Sequence, residues 1–508
     1  MDDVALALAL SAPFVAAIVV AATWRNAAGG ARSGAWVVGV GLAAAATTGV
    51  FASIGGWEPS AGPFTGDPLG LMMLNLVLGL SWLIQLYALR YLRGDARQAW
   101  FAVWTNLLTG STAVMVCAGS VAWFAVGWVA AGFALVMLLA TYAHLPQARQ
   151  GVRRAGLSFA AGDIPLVLAS AALVILAGGD VGWSELGATA ERLPQPALWV
   201  LASAFVVAAL ARSAQLPFHR WLPATLSTPT PVSALLHAGV VNAGAIVLTR
   251  FAPLVGQVAV AMLIVFAFGA ATLVYATALR LVKPDVKGRL VASTAGQMGY
   301  MMMAVGLGAF AAAVFHLIAH ALFKSALFLG AGAGVRREAH QRSWPAPTRP
   351  TRAQSVLAIV VAVVVPVAAL QAAKSLFAPE VSPASIALLG FVALTAGVAL
   401  AAGLRRRLSG ATLVLGLSGI ITLLFLYVWF VNRFTAELSP DFVIETAPPW
   451  LLAIPALLLL AMEFIARSPD RARSLQRGLY AWALAESTVP PAPATPSNIP
   501  TRKERVLS

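Results

Sequence analysis

The chain has 508 residues, of which 60% are apolar and only 10% charged, with a mean hydropathy of +0.83. A soluble globular domain carries about a quarter charged residues, so this composition excludes one and points to helices packed in lipid. The net charge of +15 would suit nucleic acid, but the basic residues sit between apolar runs, where cytoplasmic loops of membrane proteins collect them, and no nucleic-acid partner is expected.

Fifteen apolar runs approach the roughly 20 residues that cross about 30 Å of hydrocarbon. The first two, 4–24 and 35–54, form an N-terminal section, 1–65. The start, MDDVALALAL, is acidic where a secretory signal would be basic, and reads as the first span. A core section, 66–380, follows with runs at 69–89, 99–118, 121–143, 157–177, 197–213, 230–249, 258–279, 290–307, 309–333 and 354–373. Runs at 383–403, 411–431 and 449–466 fill a third section, 381–466. Residues 467–508 turn basic and then Pro-rich, a composition that buries too little apolar area to fold. The expected fold is therefore all-α and polytopic, with about 13–15 membrane spans.

The basic residues orient the bundle. With the N-terminus external and the C-terminus cytoplasmic, Arg149, Arg153, Arg154, the loop to Arg352, Arg405, Arg406, Arg407 and the tail all fall inside, while Glu58, Asp180, Glu185, Glu437 and Asp441 fall outside. The single cysteine, Cys117, lies within a span and rules out an intrachain disulfide or a cysteine-rich metal site. His and Cys with zinc-ligand spacing are absent, so neither a metal, a cofactor nor an enzymatic reaction is expected in this chain.

One stretch departs from span chemistry. SAQLPFHRWLPATLSTPTP, Ser213 to Pro231, places Pro217, Pro223, Pro229 and Pro231 after an apolar helix. Proline removes a backbone donor and clashes with the preceding turn, so the helix should break near Gln215 and Pro217. The segment is either a plain cytoplasmic loop or a broken helix of the kind that lines ion cavities.

Charged groups inside spans are costly and mark function. They are Asp163, Arg212, His237, His316, His320, Lys324, Lys374 and Glu463. Asp163 and Arg212 could simply neutralise one another, His237 could be a hydrogen-bonded core residue, and Lys374 and Glu463 could snorkel to the surface. FHLIAHALFK is harder to explain away. Its His316, His320 and Lys324 recur at i, i+4 and i+8 and share one helix face over about 12 Å. Histidine exchanges protons near neutral pH, and lysine does so when water is withheld from its charged form, so the row suits a proton relay.

Two stretches, Ser213 to Asn242 (SAQLPFHRWLPATLSTPTPVSALLHAGVVN) and Ser293 to Leu329 (STAGQMGYMMMAVGLGAFAAAVFHLIAHALFKSALFL), closely resemble the proton-translocating antiporter-like subunits of respiratory complex I and the Mrp antiporters. Weaker matches at Gly66 (GDPLGLMML), Tyr87 (YALRYLRGD) and Ala161 (AGDIP) extend the resemblance over roughly Gly66 to Leu329. It implies about fourteen helices in two inverted repeats, each with a broken helix, the second break lying near Lys374. It also implies an ion pathway through Asp163, Arg212, His237, His316, His320, Lys324 and Lys374. The family's glutamate after a fifth-span tryptophan is absent, since Val129 follows Trp128, and the lysine before SAQLP is replaced by Arg212. Arginine does not deprotonate at working pH, so the usual glutamate–lysine switch is missing from the first half.

HAGVVNAG, His237 to Gly244, is more similar to the DabB-type subunits. From the residues after the last span, the lateral helix and further spans of the larger relatives are expected to be absent. The DabB resemblance implies a bacterial inner-membrane subunit that moves protons or Na+ and pairs with DabA, a large zinc protein similar to β-carbonic anhydrases, to accumulate inorganic carbon. An antiporter-like subunit of a respiratory, Mrp or hydrogenase complex, and a non-conducting membrane anchor, are the competing expectations.

Overall fold

The computed structural model describes residues 2–283, 285–332, 352–377, 410–438 and 446–467, with a few short stretches between 388 and 481. Most of the 383–403 run, the basic loop before Arg352 and the Pro-rich tail lie outside the described residues.

The helices in order are α1 (Asp2–Ala22), α2 (Ala27–Gly55), α3 (Pro68–Tyr91), α4 (Gln98–Val116), α5 (Val121–Leu139), α6 (Pro146–Ala177), the short α7 (Leu186–Arg192), α8 (Gln195–Arg212), α9 (Thr230–Ala238), α10 (Ala243–Arg250), the one-turn α11 (Ala252–Val255), α12 (Ala259–Val282), α13 (Val286–Gly306), α14 (Phe310–Leu329), α15 (Arg352–Phe377), α16 (Gly410–Leu438) and α17 (Ala453–Arg467). Twelve helical stretches among the described residues are long and apolar enough to cross a membrane. The expected all-α, multi-pass fold is thus what the chain adopts. The expected span at 290–307 is present as α13 but is not among those twelve, because polar residues such as Ser293, Thr294 and Gln297 interrupt its apolar sequence. A two-strand hairpin, Ser60–Ala61 with Phe64–Thr65, is the only sheet among the described residues.

Large apolar side chains face outward, as lipid-facing helices require: Ile18, Trp36, Ile54, Leu168, Ile175 and Leu415 are all exposed. Between helices, small residues let backbones approach, since lipid gives apolar side chains no incentive to bury. A Cβ at Gly299 would lie 2.5 Å from the Gly269 carbonyl oxygen, so α12 and α13 can pack this closely only with glycine there. Pinned against α12 on that side, α13 turns its polar residues toward α14.

The bundle is broken twice near its middle. Helix α8 stops at Arg212, and Gln215 and Pro217 lie in the non-helical stretch that follows, with Ala214 in the left-handed region at φ 51°. Two 3-10 turns, Phe218–Trp221 and Pro223–Thr225, then lead to α9. A second interruption, unforeseen from sequence, separates α9 from α10: Gly239 leaves helical geometry, and a 3-10 turn, Val240–Asn242, intervenes.

Backbone groups freed inside a membrane protein must be bonded by something. Here side chains do it. The Trp221 indole donates to the Ala211 carbonyl at 3.1 Å, Leu216 N–H donates to Thr272 Oγ1 at 3.0 Å, and Lys287 Nζ donates to the carbonyls of Leu226 and Thr228 at 2.9 and 2.6 Å. Ser213 joins the two breaks, donating to the Val241 carbonyl at 2.6 Å while accepting from Gly244 N–H at 3.1 Å.

A second break near Lys374 is not found. Helix α15 runs unbroken through Lys374 to Phe377, and residues 378–387 lie outside the described residues. Pro366 sits within that helix.

Candidate ion-translocation site

Two clusters of ionisable residues lie on either side of the paired breaks. The first forms where α5, α6 and α8 meet. Arg212, in the last turn of α8, is 1% exposed. Its Nη2 lies 2.6 Å from Asp163 Oδ1, which also accepts from the Trp128 indole at 2.7 Å. The same Nη2 donates to the Trp128 carbonyl at 3.3 Å. The guanidinium lies over two rings, 4.5 Å from the centre of Trp128 and 4.6 Å from that of Phe159. A Cβ at position 132 would meet Nη2 at 2.5 Å, so Gly132 provides the space the arginine occupies. Lying over two aromatic rings and paired to a carboxylate, the guanidinium is held in a setting suited to arginine rather than lysine. Val129, at the family's glutamate position, is 38% exposed. Asp163, one helix away, carries the charge that pairs with the cation instead.

The second cluster lies between α13 and α14. The row His316, His320 and Lys324 on α14 faces a row on the antiparallel α13, Tyr300, Gln297 and Ser293, rung for rung. Lys324 is 0% exposed and donates to Ser293 Oγ at 2.9 Å and to the Leu290 carbonyl at 3.2 Å. His320 Nδ1 lies 2.9 Å from Gln297 Oε1. The His316 ring packs 4.7 Å from that of Tyr300 and 6.0 Å from that of His320. Among the described residues no carboxylate pairs with Lys324, whereas Asp163 pairs with Arg212 and Asp67 with Arg250. A fully buried ammonium with only neutral acceptors is costly to keep charged and has an accessible neutral form.

His237 couples the second cluster to the breaks. It is buried two residues before Gly239, its ring stacked on Phe328 at 4.4 Å, and its carbonyl lies 3.1 Å from His320 Nε2. The sequence therefore continues from His237 into the α9–α10 break, whose Val241 and Gly244 are bonded to Ser213, the neighbour of Arg212. A cavity of about 70 Å³ adjoins this junction, lined among others by Arg212, Gly239, Asn242 and Leu317. About 10–15 Å³ of such space admits one water molecule, so the cavity has room for several.

Five of the seven ionisable residues expected from sequence thus gather in two clusters, with His237 linking them. Lys374 does not join them: it is half-buried in the last turn of α15, and no hydrogen bond or ion pair among the described residues ties it to either cluster. Sequence reasoning missed Trp128, Phe159 and Gly132 around the arginine and Ser293, Gln297 and Tyr300 opposite the ladder. The latter recur at i, i+4 and i+7 in largely apolar surroundings, a helix-face pattern that could have been read beside the ladder itself. Among the described residues no three His, Cys, Asp or Glu side chains come together as metal ligands would.

The fold and these sites define a class. Residues 118–365 match the transmembrane family described as NADH:quinone oxidoreductase/Mrp antiporter, and residues 54–102 match the N-terminal region of complex I chain 5. The chain is an antiporter-like membrane protein, and the resemblance read from its motifs is borne out. Within that class it is similar to probable inorganic carbon transporter subunit DabB1 of Halothiobacillus neapolitanus, 38% identical over 53% of this chain and 49% of that protein, and to the DabB subunit of Bacillus subtilis, 35% identical over 56% of each. NADH-quinone oxidoreductase subunit L of Mycobacterium tuberculosis is 33% identical over 53% of this chain and 43% of its own length. The chain spans about half the length of the curated relatives it matches. In fold it resembles the Mrp complex from Dietzia sp. DQ12-45-1b, with a TM-score of 0.62 and 24% identity over 95% of this chain and 59% of that one.

Proposed function

We propose that the chain is the ion-translocating membrane subunit of an inorganic carbon uptake complex, driven by a proton gradient and working with a DabA-type zinc partner in the bacterial inner membrane. The observation that carries the transport reading is Lys324: a buried lysine without a carboxylate partner among the described residues, continued by His320 and His316 along one helix face. The similarity to proteins named as inorganic carbon transporter subunits supports the substrate class.

In this reading protons pass along His237, His316, His320 and Lys324, while the Asp163–Arg212 pair sets a fixed field beside the breaks. Hydration of CO2 belongs to the partner, and ion flow makes that hydration one-directional. The N-terminus is external and the C-terminus cytoplasmic.

The test is growth in air of a host lacking carbonic anhydrase. Co-expression with a DabA-type zinc subunit restores growth, and this chain alone does not; rescue by the single chain would sink the proposal. A second reading, a proton-pumping subunit of a respiratory complex, is favoured by the similarity to subunit L. Co-purification with quinone-reducing subunits instead of a zinc protein would establish it.

A further inference from the structure

Helices α3 and α4 hold a column of buried polar residues that belongs to neither ionisable cluster. Ser81, Gln85, Thr105, Asn106 and Thr109 are each no more than 3% exposed and none can titrate in the physiological range. They bond along the column: Ser81 Oγ lies 2.6 Å from Thr109 Oγ1, and Gln85 Nε2 donates to Ser81 Oγ at 3.1 Å and to Asn106 Oδ1 at 2.9 Å. Those bonds do not satisfy it. Gln85 Oε1, Asn106 Nδ2 and Thr105 Oγ1 are buried with no protein partner.

Each end of the column opens into space. At the inner end Ser81 and Thr109 line the cavity of about 70 Å³ that Arg212 and Asn242 also line, and Asn242 Oδ1 and Arg212 Nε are themselves buried and unpartnered. At the outer end Gln85 lines a cavity of about 10 Å³ shared with Gln98, the first residue of α4, next to the exposed Arg97. Five unpartnered polar atoms, in the column and at the cavity at its inner end, with a second cavity at its outer end, are what a file of bound water satisfies. In a membrane interior no other partner is available to them.

We propose that the α3–α4 column is a water path running from the Gln98 end of these helices to the Arg212 cavity. It is separate from the ladder on α14 and offers a passing cation no charged ligand. Its inner end meets a guanidinium that keeps its charge, and a fixed positive group at a pore constriction excludes cations while admitting water. The path therefore hydrates the Asp163–Arg212 pair and the α9–α10 break without becoming a second route for protons.

Radiolytic hydroxyl-radical labelling of the full chain in its membrane, in 18O water, tests this independently of transport. Met73 and Met115 line the inner cavity and are 2% and 4% exposed, whereas Met298, Met301, Met302 and Met303 are fully buried on α13 away from it. The expected result is 18O incorporation at Met73 and Met115 and none at the four α13 methionines. Asn106→Leu should remove the labelling at Met73 and Met115, and Thr109→Val, which keeps the side-chain shape, should reduce it. Labelling of Met73 and Met115 no higher than that of the α13 set would overturn the proposal. So would labelling that persists unchanged in both variants, since water would then reach the cavity by another way.

Discussion

The molecule buries two cations and treats them in opposite ways. Arg212 is given a carboxylate, two aromatic faces and a backbone carbonyl. Lys324 is given a hydroxyl and a carbonyl. The first arrangement stabilises a charge permanently; the second leaves a charge whose retention and loss are closer in free energy. A group that must pass a proton on needs the second arrangement, and a group that must hold a field steady needs the first. The difference between the clusters is therefore one of role, and substitutions at each should fail differently.

The largest expected effect is at the ladder. Lys324→Ala abolishes proton-coupled uptake, while the amount of assembled complex stays near that of the parent, because no opposite charge is orphaned by the change. Uptake and detergent-resistant assembly measured on the same membranes separate the outcomes. Equal loss of both would mean that Lys324 only holds α13 to α14, and full activity would remove it from the pathway.

Next in size is Asp163→Asn. Removing one partner of a buried ion pair leaves the other charge uncompensated, which costs about 3–5 kcal/mol. Arg212 is cut off from bulk water, and the few waters that the adjoining cavity could hold screen it far less than bulk solvent would. A marked fall in melting temperature and in membrane abundance is expected, with transport lost in proportion to protein. If Asp163→Asn were as stable as the parent but inactive, the first cluster would be dynamic rather than fixed. Arg212→Lys should be milder. It keeps the charge but forfeits stacking on Trp128 and Phe159, a loss of up to about 2 kcal/mol for a desolvated pair, readable by the same thermal shift.

Sequence alone made the ladder visible because its signal is local: three ionisable residues at helical spacing in apolar surroundings. Asp163 and Arg212 were visible for the same reason, though their pairing depends on α6 and α8 packing side by side. The rest was hidden for two physical reasons. Trp128, Phe159 and Gly132 look like ordinary span residues until a third helix brings the guanidinium among them. Gly239 and Asn242 lie in HAGVVNAG, where no proline announces a break; the interruption is stabilised by Ser213 from another helix, and no local pattern encodes that. The expectation of a break at Lys374 came from family likeness rather than from a local breaker at that residue, and the helix continues through it.

The smallest effect expected is at Gln297, and it probes how the ladder handles a proton. The His237 carbonyl can only accept, so the bond from His320 Nε2 requires the hydrogen on Nε2. Nδ1 must then accept when the ring is neutral and donate when it is an imidazolium. Gln297, 2.9 Å from Nδ1, can serve both states, because turning its amide over exchanges a donor for an acceptor. Leucine at this position serves neither. Gln297→Leu should leave assembly intact and slow uptake by roughly the factor that one hydrogen bond of about 1 kcal/mol represents. His320→Gln should slow it further, since it retains polar contacts but no titration. Parent-like rates in Gln297→Leu would show that His320 does not change protonation state during transport. A loss as complete as that of Lys324→Ala would mean that the glutamine itself carries the ion.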